Sequence, residues 1–124
     1  METVSPNIYV RDIKSTVEFY KTLGFAVVTT VPESGDPIFV MMTCGGTTFM
    51  FQTFSSIENA LPLITRTDGG SLLLYIRMKG IRTFFEKIKM KVDILTGLEK
   101  TFYGATEFSI RDCNNFMLTF AEDE

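Results

Sequence analysis

The sequence contains no histidine. That removes the commonest general base and the commonest metal-binding side chain, so proton transfer or metal chemistry would have to be built from other residues. Cysteine is scarce: there are two, Cys44 and Cys113. They fall at matching turns of an internal repeat, and a disulfide needs Cα atoms within about 7 Å. Both are expected to be thiols in a reducing compartment. There is no basic excess. Twelve Lys and Arg stand against fifteen Asp and Glu, for a net charge of −3, which gives no electrostatic grip on nucleic acid. The longest apolar run, 72–76, is far too short to cross a bilayer. The opening METVSPN lacks the basic-then-apolar pattern of a secretory signal. A cytoplasmic protein is expected, without nucleic-acid or membrane partners.

What is present suits one folded unit. The chain has 124 residues, 45% hydrophobic and 22% charged, and a chain of this size buries roughly two-thirds of its unfolded surface without a disulfide or metal. Its most informative stretch is 106–122, TEFSIRDCNNFMLTFAE. Phe108 and Ile110 alternate before a polar turn at 112–115. Phe116, Leu118 and Phe120 then alternate with Met117, Thr119 and Ala121, so one face packs on a core. Residues 39–53 carry the same pattern: Phe39 aligns with Phe108, Thr43-Cys44 with Asp112-Cys113, and Phe49 to Gln52 with Phe116 to Thr119. On this alignment Thr47 and Thr48 are two extra residues in the first turn.

Taken in order, 5–11 alternates as a strand, with Pro6, Ile8 and Val10 on one face and Ser5, Asn7, Tyr9 and Arg11 on the other. Asp12 opens a helix over 13–23 with the apolar stripe Ile13, Val17, Tyr20 and Leu23, and Gly24 stops it. Strands follow at 25–31, 38–43 and 48–53, the last two joined across Gly45-Gly46. The connector 54–70 is polar, has a short helix predicted at 57–61, and is long enough to cover a site. The pattern then restarts. SLLLYIR (71–77) answers SPNIYVR (5–11), a helix over 81–89 carries Ile81, Phe84, Phe85 and Ile88, a strand runs 92–95, and 97–103 is loop or irregular strand before the closing hairpin. The fold class is α+β: two β-α-β-β-β modules in tandem, module one 1–53, connector 54–70 and module two 71–124, packed as a single domain.

The opening VRDIKSTVEFYKTLGF and the closing YGATEFSIRDCNNFMLTFAE, set at this separation around an internal repeat, resemble the vicinal oxygen chelate superfamily of glyoxalases, bleomycin-resistance proteins and extradiol dioxygenases. In the opening, the matching residues are Val10, Asp12, Phe19, Tyr20, Leu23, Gly24 and Phe25. In the closing they are Tyr103, Gly104, Phe108 and Asp112, with Cys113-Asn114-Asn115 where the family commonly has Pro-Asp-Gly. The resemblance implies that each module curls a mostly antiparallel sheet, with one helix, into a cup. It also implies a cavity between the modules, and metal ligands from the first and last strand of each. Those positions fall on Ser5, Gln52, Ser71 and Thr119. Family metal enzymes carry His or Glu there; neutral oxygens hold a divalent cation poorly. No metal and no cofactor are therefore expected.

With these positions facing the cavity, strand alternation adds Asn7, Tyr9, Met50, Leu73, Tyr75 and Met117 to its lining. Phe49, Phe51, Phe116, Leu118 and Phe120 fall under the helices. Phe102 and Tyr103 could fold over the mouth. Glu107 is the one carboxylate near the chain's end placed to face inward, the alternative being a solvated edge charge. Arg11 and Arg77 read as surface or dimer contacts. No catalytic residue is assigned, because Ser5, Ser71 and Thr119 have no histidine to activate them. The lining of rings, methionines and neutral hydrogen-bonding groups suits an uncharged or weakly polar organic ligand. The function expected is metal-free binding of a small molecule, sequestering and antibiotic-resistance-like, by a homodimer whose cavities draw on both subunits. Two alternatives stand beside it. One is a metal-dependent lyase, isomerase or dioxygenase using atypical ligands such as Glu107 with Gln52. The other is a regulatory or structural dimer with a vestigial cavity.

Overall fold

The computed structural model describes residues 1–124. The elements run β1 (Asn7–Val10), α1 (Ile13–Thr22), β2 (Ala26–Val31), β3 (Phe39–Cys44), β4 (Thr47–Thr53), α2 (Phe54–Ile57), β5 (Leu73–Arg77), α3 (Ile81–Ile88), β6 (Asp93–Lys100), β7 (Ala105–Arg111) and β8 (Met117–Asp123). The chain divides into two compact units, 1–68 and 69–124, so all of the connector but Gly69 and Gly70 belongs with the first. Each holds one four-stranded mixed sheet, of order β1-β4-β3-β2 in the first and β5-β8-β7-β6 in the second. In both sheets the first strand lies parallel to the last, and the remaining pairs are antiparallel. A parallel pair needs a crossover rather than a tight turn, and the intervening helix and hairpin supply it. This is the α+β tandem arrangement the sequence predicts.

In unit one, α1 starts at Asp12, whose side chain accepts from the Ser15 amide at 3.1 Å. That satisfies one of the helix's unpaired N–H groups, and it lowers the pKa of Asp12. The helix ends where Gly24 takes a φ of +102°, a conformation a side chain disfavours. Tyr20 is fully buried and is the hub of the core. Its ring lies 4.8 Å from Phe51, 5.4 Å from Phe19 and from Phe25, and 5.8 Å from Phe49. Thr16 rather than Val17 is the fully buried residue of the second turn. Its hydroxyl donates to the Asp12 carbonyl at 2.7 Å, which lets a polar side chain sit inside. Ile8, Val10, Val40, Met42, Phe49 and Phe51 complete this face.

In unit two, Phe108 and Phe120 stack at 5.1 Å, and Phe84 and Phe85 of α3 meet them at 5.0–6.0 Å. Ile81, Ile88, Ile110 and Leu118 are fully buried around them. The N-terminus of α3 is capped from a distance. Gly80 offers no side chain, and the Glu122 carboxylate accepts from the amides of Gly80 (3.1 Å) and Ile81 (3.0 Å).

The structure corrects the sequence reading at several places. β1 and β5 start two residues later than expected, so Ser5 and Ser71 stand ahead of the ladders. Pro6 has no N–H to pair and contributes only its carbonyl, to the Met50 amide at 2.9 Å. The short connector helix is 54–57, not 57–61. Thr53 caps it by accepting from the Ser56 amide, and Glu58 at φ +46° ends it. Beyond it the Arg66 guanidinium donates to the carbonyls of Leu61 (2.7 Å), Ile64 (2.5 Å), Glu58 (2.9 Å) and Ala60, and so holds the loop together. β6 runs to Lys100 rather than stopping at Leu95, through two irregularities in register; bulges let a strand carry on past a glycine such as Gly97.

The repeat is also displaced by one residue on its third strand. Val40 opposes Phe51 as Ile110 opposes Leu118, so Phe39 corresponds to Ser109, not to Phe108. The first turn is the shorter one. Thr47 and Thr48 are strand residues opposite Cys44 and Thr43, leaving a two-residue turn at Gly45-Gly46. In the second module the ladder stops at Arg111 and Met117. The Asp112 side chain, accepting from the Asn114 and Phe116 amides at 2.9 and 2.7 Å, shapes a longer turn.

Candidate functional site

Strand alternation gives each sheet a helix-covered face and an open face, and the candidate residues divide between the two open faces. In unit one, Asn7 lies opposite Met50 and Tyr9 opposite Gln52, while Phe39 and Met41 of β3 oppose Gln52 and Met50 from the other side. Asn7 Nδ2 donates to Gln52 Oε1 at 3.0 Å and approaches the Tyr9 hydroxyl at 3.4 Å. Gln52 Nε2 donates to Ser56 Oγ at 3.0 Å, and that hydroxyl donates to the Thr53 carbonyl at 2.8 Å. The long amide, half-buried in an apolar strand, is thereby satisfied at both ends. Phe39, Met41 and Ser56 were not among the expected residues. The alternation of β3 carries the first two once its register is known. Ser5 is half-buried and outside the ladder.

In unit two, Leu73 lies opposite Met117 and Tyr75 opposite Thr119. Glu107 opposes Ala121, in step with Ser109 opposite Thr119, so it shares their open face. The Tyr75 and Tyr103 hydroxyls both donate to Glu107 Oε2, each at 2.5 Å. These hydrogen bonds to a carboxylate, with some desolvation, hold both phenols above the ordinary tyrosine range. Tyr103 comes from the turn after β6, where its ring meets Phe102 edge-on at 5.0 Å. Thr119 is buried and shares a 2.8 Å hydrogen bond with Ser109. Ser109 was not among the expected residues, although the alternation that turns Phe108 and Ile110 into the core sets it on the same face as Glu107. Ser71 is exposed ahead of β5.

Elsewhere in unit two a pocket of about 290 Å³ is lined by Arg77, Met78, Lys79, Ala121, Glu122 and Asp123. Its acids are committed, Asp123 to Arg77 at 2.8 Å and Glu122 to α3. Arg11 pairs with Asp68 at 3.0 Å and lies over Phe54. Cys44 and Cys113 are exposed thiols.

The donor chemistry at the family's metal positions does not fit a divalent cation. Gln52 and Thr119 offer neutral oxygens that already serve neighbours, and Ser5 and Ser71 offer only hydroxyls outside the strands. Such a cation needs anionic or imidazole donors to offset its dehydration.

A model of the Glyoxalase/Bleomycin resistance protein/Dioxygenase superfamily matches residues 3–120. The chain belongs to that superfamily. Solved structures share its fold. TioX from Micromonospora is 16% identical with a TM-score of 0.79, covering 100% of both chains. A protein of unknown function from Agrobacterium tumefaciens is 24% identical with a TM-score of 0.79, covering 100% of this chain and 95% of its own. The bleomycin resistance determinant encoded on transposon Tn5 is 20% identical with a TM-score of 0.70, covering 100% of this chain and 99% of its own. At these identities the likeness is one of fold. No curated protein matches the chain. No helix is long and apolar enough to cross a membrane.

Proposed function

We propose that this protein is a cytoplasmic small-molecule-binding member of its superfamily, which sequesters an organic ligand on the open faces of its sheets without a metal. The observation that carries this reading is the occupation of the last-strand metal positions by Gln52 and Thr119, each tied by hydrogen bonds to its own face. Around them stand apolar side chains, rings and methionines above all: Tyr9, Phe39, Met41 and Met50 in unit one and Leu73, Tyr75 and Met117 in unit two. Such mixtures of apolar surface and a few polar groups suit organic ligands. The existence of a bleomycin resistance determinant with this fold makes drug sequestration the model for its role.

We further propose that it works as a symmetric homodimer. Val27, Val28 and Val31 are exposed along β2, an edge strand of the first sheet, with Ile38 exposed just before β3. An apolar open edge favours pairing with another chain.

The test is thermal denaturation with added Zn²⁺, Ni²⁺, Mn²⁺ or Fe²⁺. A site whose dissociation constant lay a hundredfold below the free metal would add about 2.7 kcal/mol. No rise in melting temperature at sub-millimolar metal is expected. A rise of several degrees that Gln52→Leu abolishes would overturn the metal-free reading.

A further inference from the structure

We propose that the open face of the second module binds an organic cation, an ammonium group on a small apolar frame, through the Glu107 carboxylate and the rings of Tyr75, Tyr103 and Phe102. This rests on the binding function proposed above and names its ligand class. Glu107 is half-buried on that face and forms no ion pair. Arg77 stands on the same face, on the far side of Ala121 from Glu107, but its ion pair is with Asp123; Arg82 pairs with Glu124 and Arg111 with Asp93. The residue directly opposite on β6 is Glu99, another acid, and like charges in that position repel. Both phenols donate to the same oxygen, Oε2, which leaves Oε1 to accept from a ligand.

The surrounding surface has the complementary chemistry. Phe102 is 100% exposed, Tyr103 57% and Tyr75 44%, so ring surface is open to solvent beside a carboxylate that forms no ion pair. Cations are attracted to ring faces within about 6 Å, and Tyr75 already draws the Arg77 guanidinium to 6.0 Å from its centroid. The two phenol hydrogen bonds hold the carboxylate in place and bring both rings to it, so part of the ordering is complete before a ligand arrives. An anionic ligand would meet Glu107 and Glu99 together. A neutral one would leave the Glu107 charge without a counterion.

The probes are choline and 3,3-dimethylbutan-1-ol, which share a shape and differ by the charge. The 124-residue chain is titrated with each while its tyrosine and phenylalanine ring resonances are followed by NMR. Choline is expected to shift Tyr75, Tyr103 and Phe102 saturably, with the alcohol at least tenfold weaker. Glu107→Gln should reduce choline affinity at least fivefold and leave the alcohol unchanged. The side chain is isosteric, and an unchanged amide spectrum outside the site verifies the fold. Equal affinity for the two probes, or a silent Glu107→Gln, would overturn the proposal. If the alcohol shifts open-face residues and choline does not, the cation inference fails while the binding function stands. If neither probe perturbs either open face, both fail.

Discussion

Removing the Glu122 carboxylate should uncouple α3 from the sheet beneath it. On β8, Leu118, Phe120 and Glu122 share one face, and the first two lie in the core under the helix. The same alternation brings the third against the helix N-terminus, where it accepts from the Gly80 and Ile81 amides. Gly80 supplies no cap of its own. Loss of a cap typically costs about 1 kcal/mol, and loss of a negative charge at a helix N-terminus about 0.3–1 kcal/mol more. Glu122→Ala should therefore destabilise the protein by about 1–2 kcal/mol, a fall in melting temperature of about 4–8 °C for a chain of this length. Glu122→Gln, which keeps one acceptor oxygen but no charge, should fall between. The assay is urea denaturation, paired with amide hydrogen exchange at Gly80 and Ile81, where protection should drop first. The charge-dependent part should shrink in high salt. A change below about 0.3 kcal/mol, with unaltered exchange at both amides, would refute the capping role.

Two further outcomes follow from the faces and the caps. Phe51→Ala, which empties a fully buried site against Tyr20, should cost about 3–5 kcal/mol of stability, whereas Gln52→Leu, Tyr9→Ala and Tyr75→Ala should weaken ligand binding more than folding; denaturation showing Phe51→Ala mild and Tyr75→Ala severe would mean the faces are inverted. Asp12 has a folded-state pKa lowered chiefly by the Ser15 amide, so its contribution is full above the unfolded value near 3.9 and is lost as pH falls through the folded value; Asp12→Ala should cost about 1 kcal/mol at pH 7, and denaturation curves of the two proteins should converge in strong acid.

The two-module plan was legible because its signals are periodic and local. The stripes of α1 and α3, and the alternation Phe116-Leu118-Phe120, assign core and open faces without any knowledge of pairing. What could not be read depended on partners distant in sequence. The register of β3 against β4 is set by the two-residue turn at Gly45-Gly46. The identity of Phe39 and Phe108 suggests an alignment one residue out of step on the third strand, and only the register against β4 shows that Phe39 occupies the place of Ser109 on the open face. Glu107 could be placed near the site. That its oxygen takes the hydroxyls of Tyr75, on another strand, and Tyr103, from a loop, could not be seen. The Arg66 loop is a similar case, four carbonyls converging on one guanidinium with no periodic trace in the sequence.

Native mass spectrometry of untagged protein, purified without chelator, tests the central claim most directly, because it reads bound organic mass, metal and subunit number together. The account predicts a dimer of 14.0 kDa chains that carries or takes up a small organic molecule, loses it on Tyr75→Ala or Gln52→Leu, and holds no stoichiometric divalent metal. A divalent metal retained at one per chain and released by Gln52→Leu would contradict it.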